Sequence, residues 1–145
     1  MNIRQTTAAL LAASIMAALP AAAHHSFAMY DRTESRTLTG KLTRFIPGAN
    51  HAQLIFELID ANGEAVHGDD GNPIAWGVET GPAAQIANQG ITVQSFPVGT
   101  VMTVTLNPLR DGRPFGALAG PVIKCGMELP SGGCTPETGE SFGGD

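Results

Sequence analysis

The chain carries four histidines, His24, His25, His51 and His67, and His24 gains a second donor if a leader is removed just before it. An N-terminal histidine offers a primary amine and an imidazole Nδ1 in one chelate. With one further imidazole, these nitrogens form the T-shaped set called a histidine brace. A three-nitrogen set of this kind ranks copper(II) above the other divalent first-row metals. His51 and His25 are the candidate third donors. His51 opens a predicted strand beside Asn50, which suits a fixed site, whereas His25 can chelate even from a flexible tail. His67 falls in a loop and is the weaker choice. A plainer alternative stands beside this: an exposed His-His tail, and a surface imidazole at His51 bonding a neighbour.

Two further residues are placed to support such a site. Trp76 and Glu79 lie three apart in a predicted strand, Trp76 on the face shared with Ile74 and Val78, Glu79 on the other. Packing in the core is the default role of Trp76. Glu79 can orient an imidazole N–H from behind the metal, sit as a solvated rim residue, or help to cap the helix that follows. The run Asp69-Asp70-Gly71-Asn72 lacks the alternating acids and distal glutamate of a calcium loop and reads as a polar turn. Arg110-Asp111-Gly112 reads as a turn whose charges can line a ligand mouth. No nucleophile elbow, Cys-His arrangement, phosphate loop or paired-carboxylate motif is evident. A copper-loaded brace can activate oxygen, but nothing in the sequence shows a substrate groove, so catalysis is not predicted.

The elements begin with a leader. Residues 1–7 carry one charge, Arg4, and residues 8–19 are an uncharged apolar run. That run, about twelve residues, is short of the roughly 20 a membrane-spanning helix needs. Pro20 breaks it, and Ala21-Ala22-Ala23 offers the small-x-small pattern of a signal peptidase site. Residues 1–23 are therefore expected to be a cleaved signal peptide, leaving a periplasmic or secreted protein that starts at His24, with no membrane span after cleavage. The mature chain then holds seven Lys and Arg against thirteen Asp and Glu, a net charge of −6. With no basic stripe to offset that charge, nucleic acid is excluded as a partner. The candidate partners are a metal ion or an envelope protein.

The cysteines, Cys125 and Cys134, bracket a Gly- and Pro-rich segment that can bend back on itself. In an oxidising compartment such a pair is expected to form a disulfide. A soft metal site or a redox pair is the alternative, although the spacing is not Cys-x-x-Cys.

Alternation of apolar and polar residues predicts strands over 37–45, 51–60, 74–79, 101–106 and 117–124. Gly40 inside the first suggests a bulge or bend. Pro82 at a first-turn position and Gly90 as a stop frame a short helix over 83–89. Residues 64–73 read as a loop, with a paired stretch around Val66, and residues 108–116 as a turn-rich loop. The expected fold is all-β with one short helix, a small five-stranded OB-like barrel in the order β-β-β-α-β-β. A plain meander with a capping helix gives the same string. One domain over 24–134 and a flexible polar tail over 135–145 complete the expectation.

The start HHSF at His24, the segment TLTG over 37–40, WGVE over 76–79 and the loop PLRDGRPFG over 108–116 together resemble a family of short exported bacterial proteins known as domain of unknown function 6152. The resemblance covers roughly residues 23–122. It departs from the family's Asn-Pro-His turn, which reads Ala49-Asn50-His51 here, and from its Pro-Gly-Asp turn, which reads Pro97-Val98-Gly99. The Asp69-Asp70-Gly71 stretch and the cysteine tail look like additions. The resemblance implies an exported β domain and no particular activity. Three functions follow as expectations: a periplasmic copper-binding protein using His24 with His51 or His25, a metal-free OB-like module for a small molecule or protein, and an interaction subunit of an envelope complex.

Overall fold

The computed structural model describes residues 28–144. The predicted leader, its cleavage point, His24 and His25 lie outside the described residues. Six strands and one helix follow in order: β1 Arg36–Ile46, β2 Gln53–Leu58, β3 Ala75–Glu79, α1 Ala83–Asn88, β4 Val101–Pro108, β5 Phe115–Lys124 and β6 Glu140–Phe142. The first five strands close into a barrel. β1 pairs with β2 and with β4, β2 with β3, and β4 with β5, all antiparallel; β3 then meets β5 in parallel. Three strands, a helix and two strands with this closure are the OB-like barrel that the element order predicts.

The alternation that predicts the strands also divides inside from outside. Leu42, Leu54, Phe56, Val78, Met102, Val104, Leu106 and Val122 are fully buried in one cluster. Each such side chain contributes about 1.5–3 kcal/mol when removed from water. Ile86 of α1 and Ile91 and Phe96 of the following segment are buried in the same cluster. Two glycines allow strands to approach closely. A Cβ on Gly40 would run into the Glu57 carbonyl and the Phe56 ring, and one on Gly77 into the Phe115 ring.

Four expectations need correction. Gly40 is not the bulge: it pairs with Leu58 on one side and Met102 on the other, and the register shift falls between Leu42 and Arg44. The bend is set by β2, whose Ile55 pairs with Arg44, and Thr43 hydroxyl donates to the Ile55 carbonyl at 3.1 Å. The loop after β4 is shorter than predicted, because β4 runs to Pro108 and β5 starts at Phe115. Pro82 is the residue before the first helical turn rather than within it, and no side chain caps α1. The segment read as a flexible tail forms β6, which pairs with residues 122–124 of β5. Phe142 of β6 packs edge-on against Phe96, ring centroids 5.0 Å apart, and the Lys124 ammonium lies 5.5 Å from the Phe96 centroid and 5.9 Å from that of Phe142.

The expected disulfide is present. Cys125 and Cys134 are bonded, with Cα atoms 5.7 Å apart. The loop they close folds over the outer face of β4 and β5, where Val101, Ile123 and Cys134 form a second buried cluster with Leu129 against it. Thr103, on the outer face of β4, is buried there too and donates its hydroxyl to the Cys134 carbonyl at 2.7 Å.

Candidate functional site

The start of β2 and the end of β3 are strapped together. Ala52 N–H donates to the Gly81 carbonyl at 3.0 Å, and Thr80 N–H to the Ala52 carbonyl at 2.9 Å. The buried Thr80 hydroxyl reaches the Ala52 and Gly81 carbonyls, each at 3.1 Å. This strap fixes His51, the residue before Ala52, beside Glu79 and Thr80. The imidazole Nδ1 lies 3.2 Å from the Thr80 carbonyl oxygen and 3.5 Å from Oε1 of Glu79. A carbonyl can only accept, so the Nδ1 facing it carries the proton. That tautomer leaves Nε2 with its lone pair, the atom a metal or an acid would seek.

Glu79 also meets the one tyrosine of the chain. Tyr30 is held by a bridge to Leu109, by Asp31 N–H donating to the Pro108 carbonyl at 2.8 Å, and by Arg110 N–H donating to the Met29 carbonyl at 2.9 Å. Its side chain is buried, and burial, followed by the charge and hydrogen bond of Glu79, pushes the phenol up to about 12. The result is a row of three titratable groups, phenol, carboxylate and imidazole, with exposure increasing outward. The side chain of Glu79 is 19% exposed and that of His51 38%.

The row borders two hollows. A cleft of about 480 Å³ is walled by His51 and Glu79, by Gln85 and Gln89 of the helical segment, and by Leu118 and Ala119 of β5. A second hollow of about 330 Å³ lies on the other side of Glu79, between Tyr30, Gln53, Arg113 and Phe115. Glu79 is thus the partition between them.

Of the site residues expected from sequence, His51 and Glu79 come together. Glu79 does not cap α1. Asn50 is exposed in the turn before His51 and does not line the cleft. Trp76 is buried in the barrel core, with the Arg36 guanidinium 5.6 Å from its ring centroid, and does not line the cleft beside His51. His67 is exposed on the β2–β3 arm, opposite Pro73. There the paired stretch around Val66 forms as expected: Val66 N–H donates to the Leu58 carbonyl and Ile74 N–H to that of Val66. Asp70 folds onto Asn72, whose side-chain and backbone N–H groups hold its carboxyl below the usual range, as a polar turn requires. Asp111 is likewise turned onto the backbone and side chain of Arg113. Among the described residues no three His, Cys, Asp or Glu side chains gather as a metal group. His51 and Glu79 stand as a pair.

Sequence reading missed Tyr30, Gln85 and Gln89. Tyr30 had one available signal, being the only tyrosine and lying six residues after His24.

Among curated proteins and solved structures, none matches the chain. A family model does match, over residues 12–118, that is, from within the predicted leader to the first part of β5. His24, His25, His51, Trp76 and Glu79 fall inside the match; the disulfide and β6 fall beyond it. By that match the chain belongs to the family described as Family of unknown function (DUF6152).

Proposed function

We propose that this is an exported copper-binding protein, in which the amine and imidazole of an N-terminal His24 join the Nε2 of His51. The observation that carries the reading is the support given to the His51 ring. Its Nδ1 faces the Thr80 carbonyl and the Glu79 carboxylate, as ligating imidazoles are commonly held from behind. Covalent reach allows the third side of the site. Tyr30 contacts Glu79, and the six residues back to His24 span up to about 20 Å when extended. His25 is the alternative to His51 as third donor.

Export is supported by the leader pattern and by the disulfide, which persists in oxidising compartments. No helix among the described residues is long and apolar enough to cross a membrane. Both amine and imidazole must shed protons to bind, so copper affinity is expected to rise with pH through about 6.5–8.

The test is copper(II) titration with electron paramagnetic resonance on natively processed protein. Tight binding with nitrogen hyperfine structure is expected, lost when one residue is added before His24. Glu79→Gln should weaken binding by about tenfold, the lower end of what loss of such a supporting group costs. Mass analysis showing a different mature start, or binding indifferent to the added residue, would overturn the terminal chelate.

A second reading, a metal-free ligand-binding module, is favoured by the cleft itself. Its volume of about 480 Å³ and its mixed apolar and amide walls suit a bound organic group.

A further inference from the structure

The barrel is not sealed along the whole of β5. On the edge away from β4, β3 pairs with β5 as far as Ala117, and β6 begins pairing at Val122. Residues 118–120 between them have no ladder partner on that side among the described residues and line the cleft, while Pro121, which has no N–H, lies against Gly144. The register between β4 and β5 also shifts here, between Val104 and Leu106, so this stretch bows away from the regular ladder. An unpaired strand edge is a row of free N–H and C=O groups ready to accept another strand.

The surroundings select an occupant. Of the β5 residues that line the cleft, Ala117, Ala119 and Gly120 are small and only Leu118 carries a long side chain. Gln85 and Gln89 stand opposite, each with an amide that both donates and accepts. At one end stands Glu79, the carboxylate of the cleft wall, and the chain as a whole is acidic, with a net charge of −5. A ligand with alternating donors and acceptors along an extended line, and a positive charge at one end, answers all three features. We propose that the cleft is a strand-addition site, where an extended peptide segment of a partner protein pairs with β5 across residues 118–120 and turns a basic side chain toward Glu79. This deepens the metal-free reading and rests on its cleft, and it requires no copper.

The experiment uses natively processed, oxidised protein freed of metal with a chelator, and follows backbone amides by NMR. The probe is the blocked peptide acetyl-Lys-Val-Thr-Val-amide, with a second version N-methylated at alternate amides. The expected result is fast-exchange binding with the largest shifts at Leu118, Ala119 and Gly120. The N-methylated peptide, unable to donate ladder hydrogen bonds, is expected to bind about tenfold more weakly. Replacing the peptide's lysine with norleucine should cost about two- to fivefold, the range of a partly exposed ion pair. Equal binding of the N-methylated peptide would overturn strand addition while leaving a ligand cleft in place. Shifts elsewhere on the barrel, absence of binding by any peptide, or binding that returns only with copper would overturn it as well.

Discussion

The two halves of β5 meet opposite surroundings. From Val122 on the strand is covered: β6 pairs with it, Phe96 and Phe142 flank the Lys124 ammonium, and the disulfide loop packs on Ile123. Before Val122 it borders an open cleft, where a carboxylate and an imidazole stand half-exposed at the joint between β2 and β3. The disulfide and β6 of the closed half lie beyond the family match, whereas His51, Glu79 and the helical segment of the open half lie within it. Stabilising elements and chemically active groups are therefore separated along one strand, and each can be altered while the other is watched.

The largest effect is expected from the staple. Cys125→Ser with Cys134→Ser should lower stability by about 2–3 kcal/mol in the loop-entropy model, read by chemical denaturation with the wild type under reducing and non-reducing conditions. The His51 and Glu79 resonances should stay in place, and their movement would show that the two halves are coupled after all. Next comes Thr103→Val, which removes the hydroxyl donor to the Cys134 carbonyl. Leaving that buried carbonyl unpaired should cost about 1–2 kcal/mol, again without disturbing the cleft.

On the open side the expected signature is in titration more than in stability. Tyr30 is held protonated to about pH 12 by burial first and Glu79 second. Its folded value is raised above the ordinary 10, so the folded state binds the proton more tightly between these values. The associated stability is fully present below pH 10 and is lost as pH rises through 12. Because the chain has one tyrosine, ultraviolet phenolate absorbance reads this midpoint directly. Glu79→Gln should bring the midpoint down yet leave it above 10, since burial is the greater cause. The smallest effect is that same substitution on unfolding free energy, within about 1 kcal/mol for a partly exposed polar contact. A larger loss would mean that Glu79 is a structural strut and that the open half is not separate from the closed one.

Much of the barrel was legible in the chain because its strands alternate cleanly. Leu54, Phe56 and Leu58 share a face in the sequence and in the core. What alternation could not reveal is anything set by a distant partner. The bulge near Thr43 follows from the register imposed by Ile55 of β2. The short β6 exists because Phe142 finds Phe96 and Lys124, which local composition, three glycines among the last seven residues, argued against. At the site, His51 and Glu79 were both visible as chemical types. Their meeting depends on the strap between Ala52 and Thr80, and the approach of Tyr30 on barrel closure, neither of which has a local pattern.

The single tyrosine and the single tryptophan occupy different layers of the molecule, and this supplies two intrinsic optical reporters. Tyr30 absorbs at the partition between the hollows, while Trp76 emits from the core on the same strand as Glu79, three residues away and thus about 10 Å along β3. A paramagnetic ion held at His51 would lie close enough to quench that emission, whereas a diamagnetic peptide along β5 would leave it bright. Fluorescence of unlabelled protein can therefore tell the two kinds of guest apart.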